Sequence, residues 1–182
     1  MSTQVPNIDE SWTLFIDRDG VINQRDFNGY ITTPEQFHFL PRAIEGLIRF
    51  RKSFGKLIVV TNQQGVGKGL MNERNLDELH GYMIDRLKES GVIIDAIYAA
   101  TNIRGARNDR RKPRPNMALE ARRQFPDINF SKSVMIGDTD GDIRFGMNLG
   151  MITVLVDSDE KVVGQPDFII NDLEHLANDW NL

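Results

Sequence analysis

The 182-residue sequence contains no cysteine and no excess of basic residues. Without cysteine the chain forms no disulfide, no thiolate zinc site and no cysteine-ligated iron–sulfur cluster, and it uses no cysteine nucleophile. Lys and Arg number 22 against 26 Asp and Glu, which gives a formal net charge of −4. This negative balance does not favour general binding to nucleic acid or to anionic membranes.

Long apolar segments are also missing. No apolar run approaches the roughly 20 residues that a helix needs to cross a bilayer, so we expect no membrane partner. The N-terminal residues contain neither a basic stretch nor an apolar core, and they do not resemble a signal peptide. These absences predict a cytoplasmic protein. Apolar residues still make up 40% of the chain, which is enough for a core.

Short apolar runs alternate with amphipathic segments of helical spacing along the chain. Continuous apolar runs predict buried strands, and their alternation with helices predicts βαβ units. The predicted strands lie at 13–17, 56–60, 96–99, 133–136, 152–156 and 168–170. We therefore expect an α/β, Rossmann-like fold in which a doubly wound parallel sheet is covered on both faces. Residues 1–182 form one predicted domain with no large cap domain and with a loose tail at 1–11.

Proline, glycine and asparagine predict where helices begin and end. Pro41 suits the first position of the helix that follows the first strand, and Gly55 can end that helix in a left-handed conformation. Asn72 can cap the next helix, and Gly150 can end the helix before the fifth strand.

Polar side chains follow three of the predicted strands. They are Asp17 and Asp19 after the first strand, Thr61 and Asn62 after the second, and Asp138 and Asp142 after the fourth. The carboxyl ends of parallel strands share one edge, so we expect these groups and the more distant Lys112 to converge. Carboxylates suit Mg²⁺, while Thr61 and Lys112 can receive a phosphate. The assembly predicts phosphoryl transfer, which depends on positioning and charge neutralisation.

The three histidines are scattered along the sequence. His38, His80 and His175 have no neighbouring residue of a type that would complete a metal site. We predict surface or capping roles for them.

The order and spacing of the polar residues resembles the four motifs of the haloacid dehalogenase superfamily of phosphatases. The matching features are Asp17-x-Asp19-Gly20, Thr61 after a hydrophobic strand, Lys112 and Asp138-x-x-x-Asp142, and they extend over residues 13–156. Other stretches are similar to the D-glycero-D-manno-heptose 1,7-bisphosphate phosphatases and their histidinol-phosphatase relatives. These stretches are Asp19-Gly20-Val21-Ile22-Asn23, Gly29-Tyr30, Phe39-Leu40-Pro41, Thr61-Asn62-Gln63-x-Gly65 and Arg111-Lys112-Pro113-x-Pro115-x-Met117.

The resemblance implies a role for each matching position. Asp17 is the implied nucleophile, which forms an aspartyl-phosphate, and Asp19 protonates the leaving oxygen and then activates water. Mg²⁺ is held by Asp17, the backbone carbonyl of Asp19 and Asp138, while Thr61 and Lys112 bind the transferring phosphoryl group. The implied substrate contacts are Asp26, Asn28, Asn62, Gln63, Gln64 and Arg111. Asp142 either orients Lys112 or metal-bound water, or it caps a helix.

Two departures from the family pattern have consequences. Zinc-binding relatives carry a Cys/His cluster before the Arg-Lys-Pro sequence, but residues 99–110 contain neither residue type, so we expect no zinc. Many heptose enzymes carry lysine where this chain has Thr139, which leaves the exact substrate open.

The favoured hypothesis is a Mg²⁺-dependent phosphatase of a small phosphorylated substrate, with a sugar bisphosphate as the first choice. Arginines at 104–114 either hold a second phosphate or form a solvated surface. The alternatives are a histidinol-phosphate phosphatase, a polynucleotide end-phosphatase and an inactive binding module. We do not expect nucleic acid as a partner, because residues 99–116 lack the aromatic side chains of a stacking platform. Loops 23–40 and 102–114 are expected to roof the site.

Overall fold

The structure is a computed structural model that describes residues 4–158 and 160–182. Its strands are β1 (Thr13–Ile16), β2 (Lys56–Asn62), β3 (Ala96–Ala100), β4 (Ser133–Gly137), β5 (Ile152–Val156) and β6 (Phe168–Ile170). Its α-helices are α1 (Ala43–Ser53), α2 (Gln64–Gly67), α3 (Glu73–Glu89), α4 (Asn116–Gln124), α5 (Asp140–Leu149) and α6 (Leu173–Asp179). Short 3-10 helices lie at Pro34–Gln36 and Phe130–Lys132.

The six strands form one parallel sheet in the order β3-β2-β1-β4-β5-β6. This order has its switch point at β1, because the chain leaves β1 for β2 on one side and later returns to β4 on the other. Ligands of open α/β sheets bind in the crevice at such a point. The predicted Rossmann-like, doubly wound sheet is confirmed.

Both faces of the sheet are covered, as the continuous apolar strands require. Along β1, Leu14 and Ile16 face a core that includes residues of α1, α3 and α6. Phe15 faces the opposite core, which includes residues of α4 and α5. The central strand is therefore buried on both sides, and its carboxyl end opens towards the site.

The predicted helix ends are confirmed at Asn72 and Gly150 and are wrong at Pro41 and Gly55. The Asn72 side chain accepts the backbone N–H of Asn75 at 2.8 Å, and Gly150 takes a left-handed φ of 71°. The predictions for Pro41 and Gly55 are wrong. Helix α1 begins at Ala43, after Arg42 has taken the left-handed conformation, and ends in an extended Phe54. Gly55 is required instead by packing, because a side chain there would overlap the carbonyl oxygen of Glu10.

The chain before β1 is only partly described, because residues 1–3 of the predicted tail lie outside the described ranges. Residues 4–11 form no helix or strand, although Ile8 packs against the core. The Trp12 carbonyl accepts the Gly55 N–H at 3.0 Å, which holds the chain entering β1 against the end of α1. Within the described ranges, every helix is too short or too polar to cross a bilayer.

Candidate active site

The turn after β1 brings two carboxylates to the edge of the sheet. The Asp17 N–H donates to the Ile136 carbonyl at 2.9 Å, so Asp17 follows the strand directly beside β4. Gly20 then takes a φ of 85°, and a side chain at Gly20 would overlap the Asp138 carboxylate. Only glycine allows both this backbone conformation and the close approach of Asp138.

Three buried acids form the centre of the site. One carboxylate oxygen from each of Asp17, Asp138 and Asp142 lies within 4.8 Å of the others. Burial, with the neighbouring carboxylates adding to it, raises the pKa of Asp17 and of Asp138, while Lys112 acts in the opposite direction. Asp138 Oδ1 is buried and has no hydrogen-bond partner among the described residues. The cluster thus has an excess of negative charge that a cation would relieve.

Lys112 supplies one positive charge to this cluster. Its Nζ lies 2.8 Å from Asp17 Oδ1 and 2.6 Å from Asp142 Oδ1, and it donates to the Val60 carbonyl at 2.6 Å. The Val60 carbonyl thus accepts a hydrogen bond from the ammonium, and the two carboxylates lie within ion-pair distance of it. Burial lowers the pKa of Lys112, but Asp142 and Asp17 outweigh burial and raise it. Lys112 therefore remains charged and joins the two acids.

Asp142 has both of the contacts that the sequence left as alternatives. Its Oδ1 faces Lys112, while its Oδ2 accepts the Thr139 hydroxyl at 2.6 Å and the Thr139 N–H at 3.0 Å. One carboxylate thus caps the first turn of α5 and at the same time orients Lys112. The two alternatives are compatible because each uses a different oxygen.

Asp19 lies in different surroundings. Arg18 Nη2 lies 2.8 Å and 2.9 Å from its two oxygens, and Asn23 and Gln63 donate to it at 2.9 Å and 2.7 Å. Burial acts to raise the pKa of Asp19, but the Arg18 charge and these hydrogen bonds outweigh burial and hold the pKa below its usual range. Asp19 is therefore a fully partnered carboxylate.

The polar residues at the end of β2 connect these groups. Thr61 and Asn62 lie within the strand rather than after it, which corrects the predicted end at residue 60. Gln63 Nε2 donates to Thr61 Oγ1 at 2.8 Å as well as to Asp19. Asn62 Oδ1 accepts the Lys112 N–H at 2.9 Å and so fixes the backbone that carries the lysine. The amides of Asn62 and Gln63, expected to contact substrate, are engaged with protein groups.

A cavity of about 720 Å³ opens above these residues. Loops 23–40 and 102–114 contribute to its lining, as expected, and Asp26 and Arg111 are among the lining residues. Asn28 and Gln64, both expected to contact substrate, lie outside this lining. The Asn28 N–H donates to Asp26, and the Gln64 side chain accepts the Arg104 N–H at 3.1 Å. Asn28 thus lies in the loop after β1, and the side chain of Gln64, at the start of α2, holds the loop that carries Arg104.

Basic side chains surround the three acids. The basic residues that line the cavity are Arg25, Arg104, Arg111, Lys112, Arg114, Arg144 and Lys161. Nε and Nη1 of Arg111 are buried without a hydrogen-bond partner among the described residues. Burial and the nearby Arg104 lower the pKa of Arg111. The cavity therefore joins an acidic floor to a basic wall, which suits a phosphorylated ligand together with a cation.

Comparisons with known proteins agree with this geometry. A family model described as HAD-hydrolase-like matches residues 109–176. The D-glycero-alpha-D-manno-heptose-1,7-bisphosphate 7-phosphatase of Mycobacterium bovis is 38% identical over 76% of this chain and 73% of that protein. The D-glycero-D-manno-heptose-1,7-bisphosphate 7-phosphatase of Chlorobaculum tepidum is 30% identical over 93% and 94%. The chain belongs to the haloacid dehalogenase superfamily of phosphatases.

A solved structure has the same fold as this haloacid dehalogenase-type phosphatase. It is the D,D-heptose 1,7-bisphosphate phosphatase from B. bronchiseptica, complexed with magnesium and phosphate. The two share 23% sequence identity over 92% of this chain and 97% of that chain, with a TM-score of 0.81. At this sequence identity the likeness shows the shared fold.

Sequence reasoning missed three residues at the phosphatase site. Arg18 is fully buried beside Asp19, and Arg25 reaches Asp138 Oδ2 at 3.3 Å from the loop after β1. The predicted surface or capping role is wrong for His80, which is 8% exposed and lies 3.2 Å from Arg18 Nη1. Helical spacing carried the signal, since His80 continues the buried row of Leu76, Leu79, Met83 and Leu87.

Proposed function

We propose that this phosphatase is Mg²⁺-dependent, acts through an aspartyl-phosphate on Asp17 and hydrolyses a small sugar bisphosphate of the heptose 1,7-bisphosphate class. The observation that carries the proposal is the pair of buried carboxylates, Asp17 and Asp138, at the ends of adjacent strands. Relatives named as heptose bisphosphate phosphatases support the substrate class.

The residues present fit a hard divalent cation. Asp138 has an unpartnered buried oxygen, and the pKa values of Asp17 and Asp138 are raised. Asp17, Asp138 and the backbone carbonyl of Asp19 would hold Mg²⁺, which prefers oxygen ligands and phosphate oxygens. When bound, the ion neutralises charge on the phosphoryl group and on the acids. The chain offers no cysteine for a thiolate zinc site, and zinc is not part of the proposal.

The chain's own side chains account for the two proposed steps. An Asp17 oxygen forms a bond to phosphorus, and the bond from phosphorus to the leaving oxygen breaks. Asp19, which must first take up a proton from solvent against its lowered pKa, gives that proton to the leaving oxygen. In the second step Asp19 takes a proton from water, the water oxygen attacks phosphorus, and the Asp17 carboxylate is released. Thr61 and Lys112 position the phosphoryl group, and their positive and polar groups balance its charge.

The basic wall of the cavity supports a substrate with a second phosphate. The Arg111 guanidinium has two buried N–H groups without hydrogen-bond partners among the described residues. The positive charges of Arg111 and the nearby Arg104 repel each other. A phosphate between them would receive paired hydrogen bonds and relieve the repulsion. Histidinol phosphate is the second candidate, but its ammonium group would face this wall unfavourably.

The substrate proposal is tested by kinetics with Mg²⁺ on four compounds: heptose 1,7-bisphosphate, heptose 7-phosphate, histidinol phosphate and a 5′-phosphorylated oligonucleotide. We expect the bisphosphate to have the highest kcat/KM, and chelation of the metal to abolish turnover. Arg111→Gln should raise KM for the bisphosphate about tenfold, the worth of a charged hydrogen bond, and leave the monophosphate nearly unchanged. Arg123→Gln, on the exposed side of α4, is the matched control. Preference for histidinol phosphate or the oligonucleotide would overturn the proposed substrate.

A further inference from the structure

Arg18 is a fully buried arginine whose donors are distributed between two groups. Nε and Nη2 face the Asp19 carboxylate, with Nη2 at 2.8 Å and 2.9 Å from its two oxygens. Nη1 lies 3.2 Å from His80 Nε2, on helix α3. A buried guanidinium is stable only when its charge and its N–H groups are partnered. The Asp19 carboxylate balances the charge of Arg18, and His80 is the partner of Nη1.

The contact requires a neutral histidine. Burial and, secondarily, the Arg18 charge lower the pKa of His80 to about 3, so the imidazole is uncharged near neutral pH. A neutral ring has one acceptor nitrogen, and Arg18 has only donors, so Nη1 donates to Nε2. Because both side chains are buried, water is not at hand to replace this acceptor if it is removed.

The same network continues beyond Asp19 to the phosphate side of the site. Gln63 is 2% exposed and donates one N–H to Asp19 Oδ2 and another to Thr61 Oγ1. The orientation of the Asp19 carboxylate is thus set from two sides, by Arg18 and by Gln63. His80 connects helix α3 to this network through its contact with Arg18.

We propose that His80 is a positioning residue for proton transfer, which holds Arg18 so that the Arg18 fork keeps the Asp19 carboxylate in place. This inference rests on the proposed function, because it needs Asp19 to give its proton to the leaving oxygen. Without the His80 acceptor, the Arg18 guanidinium turns to partner its free N–H, and the Asp19 carboxylate shifts with it. Lys112 is held by Asp17 and Asp142 rather than by Asp19, so we expect the phosphoryl group to bind there as in the wild type.

The test compares two leaving groups in two variants. His80→Leu removes the acceptor, and His80→Gln replaces it with an amide oxygen. On an alkyl sugar phosphate, whose leaving oxygen needs a proton, we expect kcat of His80→Leu to fall about tenfold with KM nearly unchanged, a fraction of the usual contribution of general acid catalysis. On p-nitrophenyl phosphate, whose leaving group departs without a proton, the rate of p-nitrophenolate release in the first turnover should fall by less than about twofold, because this rate precedes the water step that both substrates share. His80→Gln should recover most of the lost rate.

Three controls separate positioning from stability. His175→Leu removes an exposed histidine on α6 and should leave both rates unchanged. Thermal melting shows whether His80→Leu is folded, and His80→Asn, whose shorter amide stops short of Arg18, replaces it if it is not. In an Asp19→Asn background, His80→Leu should cause no further loss on either substrate, since the proton donor is already absent.

The outcomes distinguish this inference from the proposed function. Wild-type protein that fails to hydrolyse either phosphate with Mg²⁺ would overturn the proposed function and this inference with it. An active wild type in which His80→Leu slows the first-turnover release of both leaving groups equally, or of neither, would overturn the positioning role alone. A loss that persists in the Asp19→Asn background would do the same.

Discussion

The two aspartates that follow β1 are separated by one residue, yet their surroundings are opposite. Asp17 lies among carboxylates, and its pKa is raised by burial and by the neighbouring Asp142. Asp19 accepts hydrogen bonds from Arg18, Asn23 and Gln63, which hold its pKa below the usual range. The comparison teaches that one short motif can supply two carboxylates with different chemistry, because the tertiary environment sets each proton affinity.

The largest effect is expected for Asp17, which lies among other carboxylates. Asp17→Asn removes the proposed nucleophile but keeps its size, so the fold should persist while kcat falls by at least about 10⁴-fold. Steady-state kinetics with Mg²⁺ measure the loss, and circular dichroism checks the fold. A folded variant with more than a few per cent of wild-type activity would contradict the role of Asp17.

Asp19→Asn tests the other half of the comparison. Asparagine keeps several of the hydrogen bonds but cannot move a proton, so kcat on a sugar phosphate should fall about 10²–10⁴-fold. The loss on p-nitrophenyl phosphate should be smaller for the first step, and phosphorylated protein should accumulate because water is no longer activated. Mass spectrometry of quenched samples detects that species. Equal losses on both substrates without accumulation would contradict the assignment of acid and base to Asp19.

Asp138→Asn should separate stability from activity. Folding raises the pKa of this carboxyl, so above about pH 4 the metal-free folded chain holds more protons than the unfolded chain. Its stability therefore falls as pH rises from that value through the raised pKa. The uncharged variant lacks this loss and should melt about 2–4 °C higher than metal-free wild type at pH 7, equivalent to about 1 kcal/mol.

Mg²⁺ should reverse that order. The ion should raise the melting temperature of the wild type but not of Asp138→Asn, and the variant should be almost inactive. Differential scanning calorimetry with and without Mg²⁺ measures both effects. A variant that melts lower than metal-free wild type would show that the acidic cluster is already balanced without a cation.

The smallest effect is expected at the edge of the cluster. Arg25 is 30% exposed and lies 3.3 Å from Asp138 Oδ2 and 3.0 Å from Glu160. Arg25 competes weakly with Mg²⁺ for the Asp138 carboxylate, because their ion pair is partly solvated. In Arg25→Gln this competition is lost, so the Mg²⁺ concentration at half-maximal activity should fall about two- to fivefold. Titration of activity with Mg²⁺ measures the change. Weaker Mg²⁺ activation would show instead that Arg25 supports the metal site.

Much of the architecture was predictable because its signals are local. Continuous apolar runs predict all six strands, and the buried face of α3 follows from the spacing of Leu76, Leu79, Met83 and Leu87. The role of Gly55 was not predictable, because it depends on the carbonyl of Glu10 from a distant part of the chain. The end of β2 was also placed short, because β3 extends its pairing as far as Asn62.

The candidate site divides in the same way. The sequence by itself determined that Asp17, Thr61 and Asp138 lie at the ends of parallel strands, because residue type and strand position both depend on neighbouring residues in the chain. Only the tertiary structure decided the partner of each: Lys112 between Asp17 and Asp142, Arg25 on Asp138, and His80 behind Arg18. The physical reason is that proton affinity and orientation depend on charges and donors a few ångströms away, and folding brings those groups from distant parts of the chain.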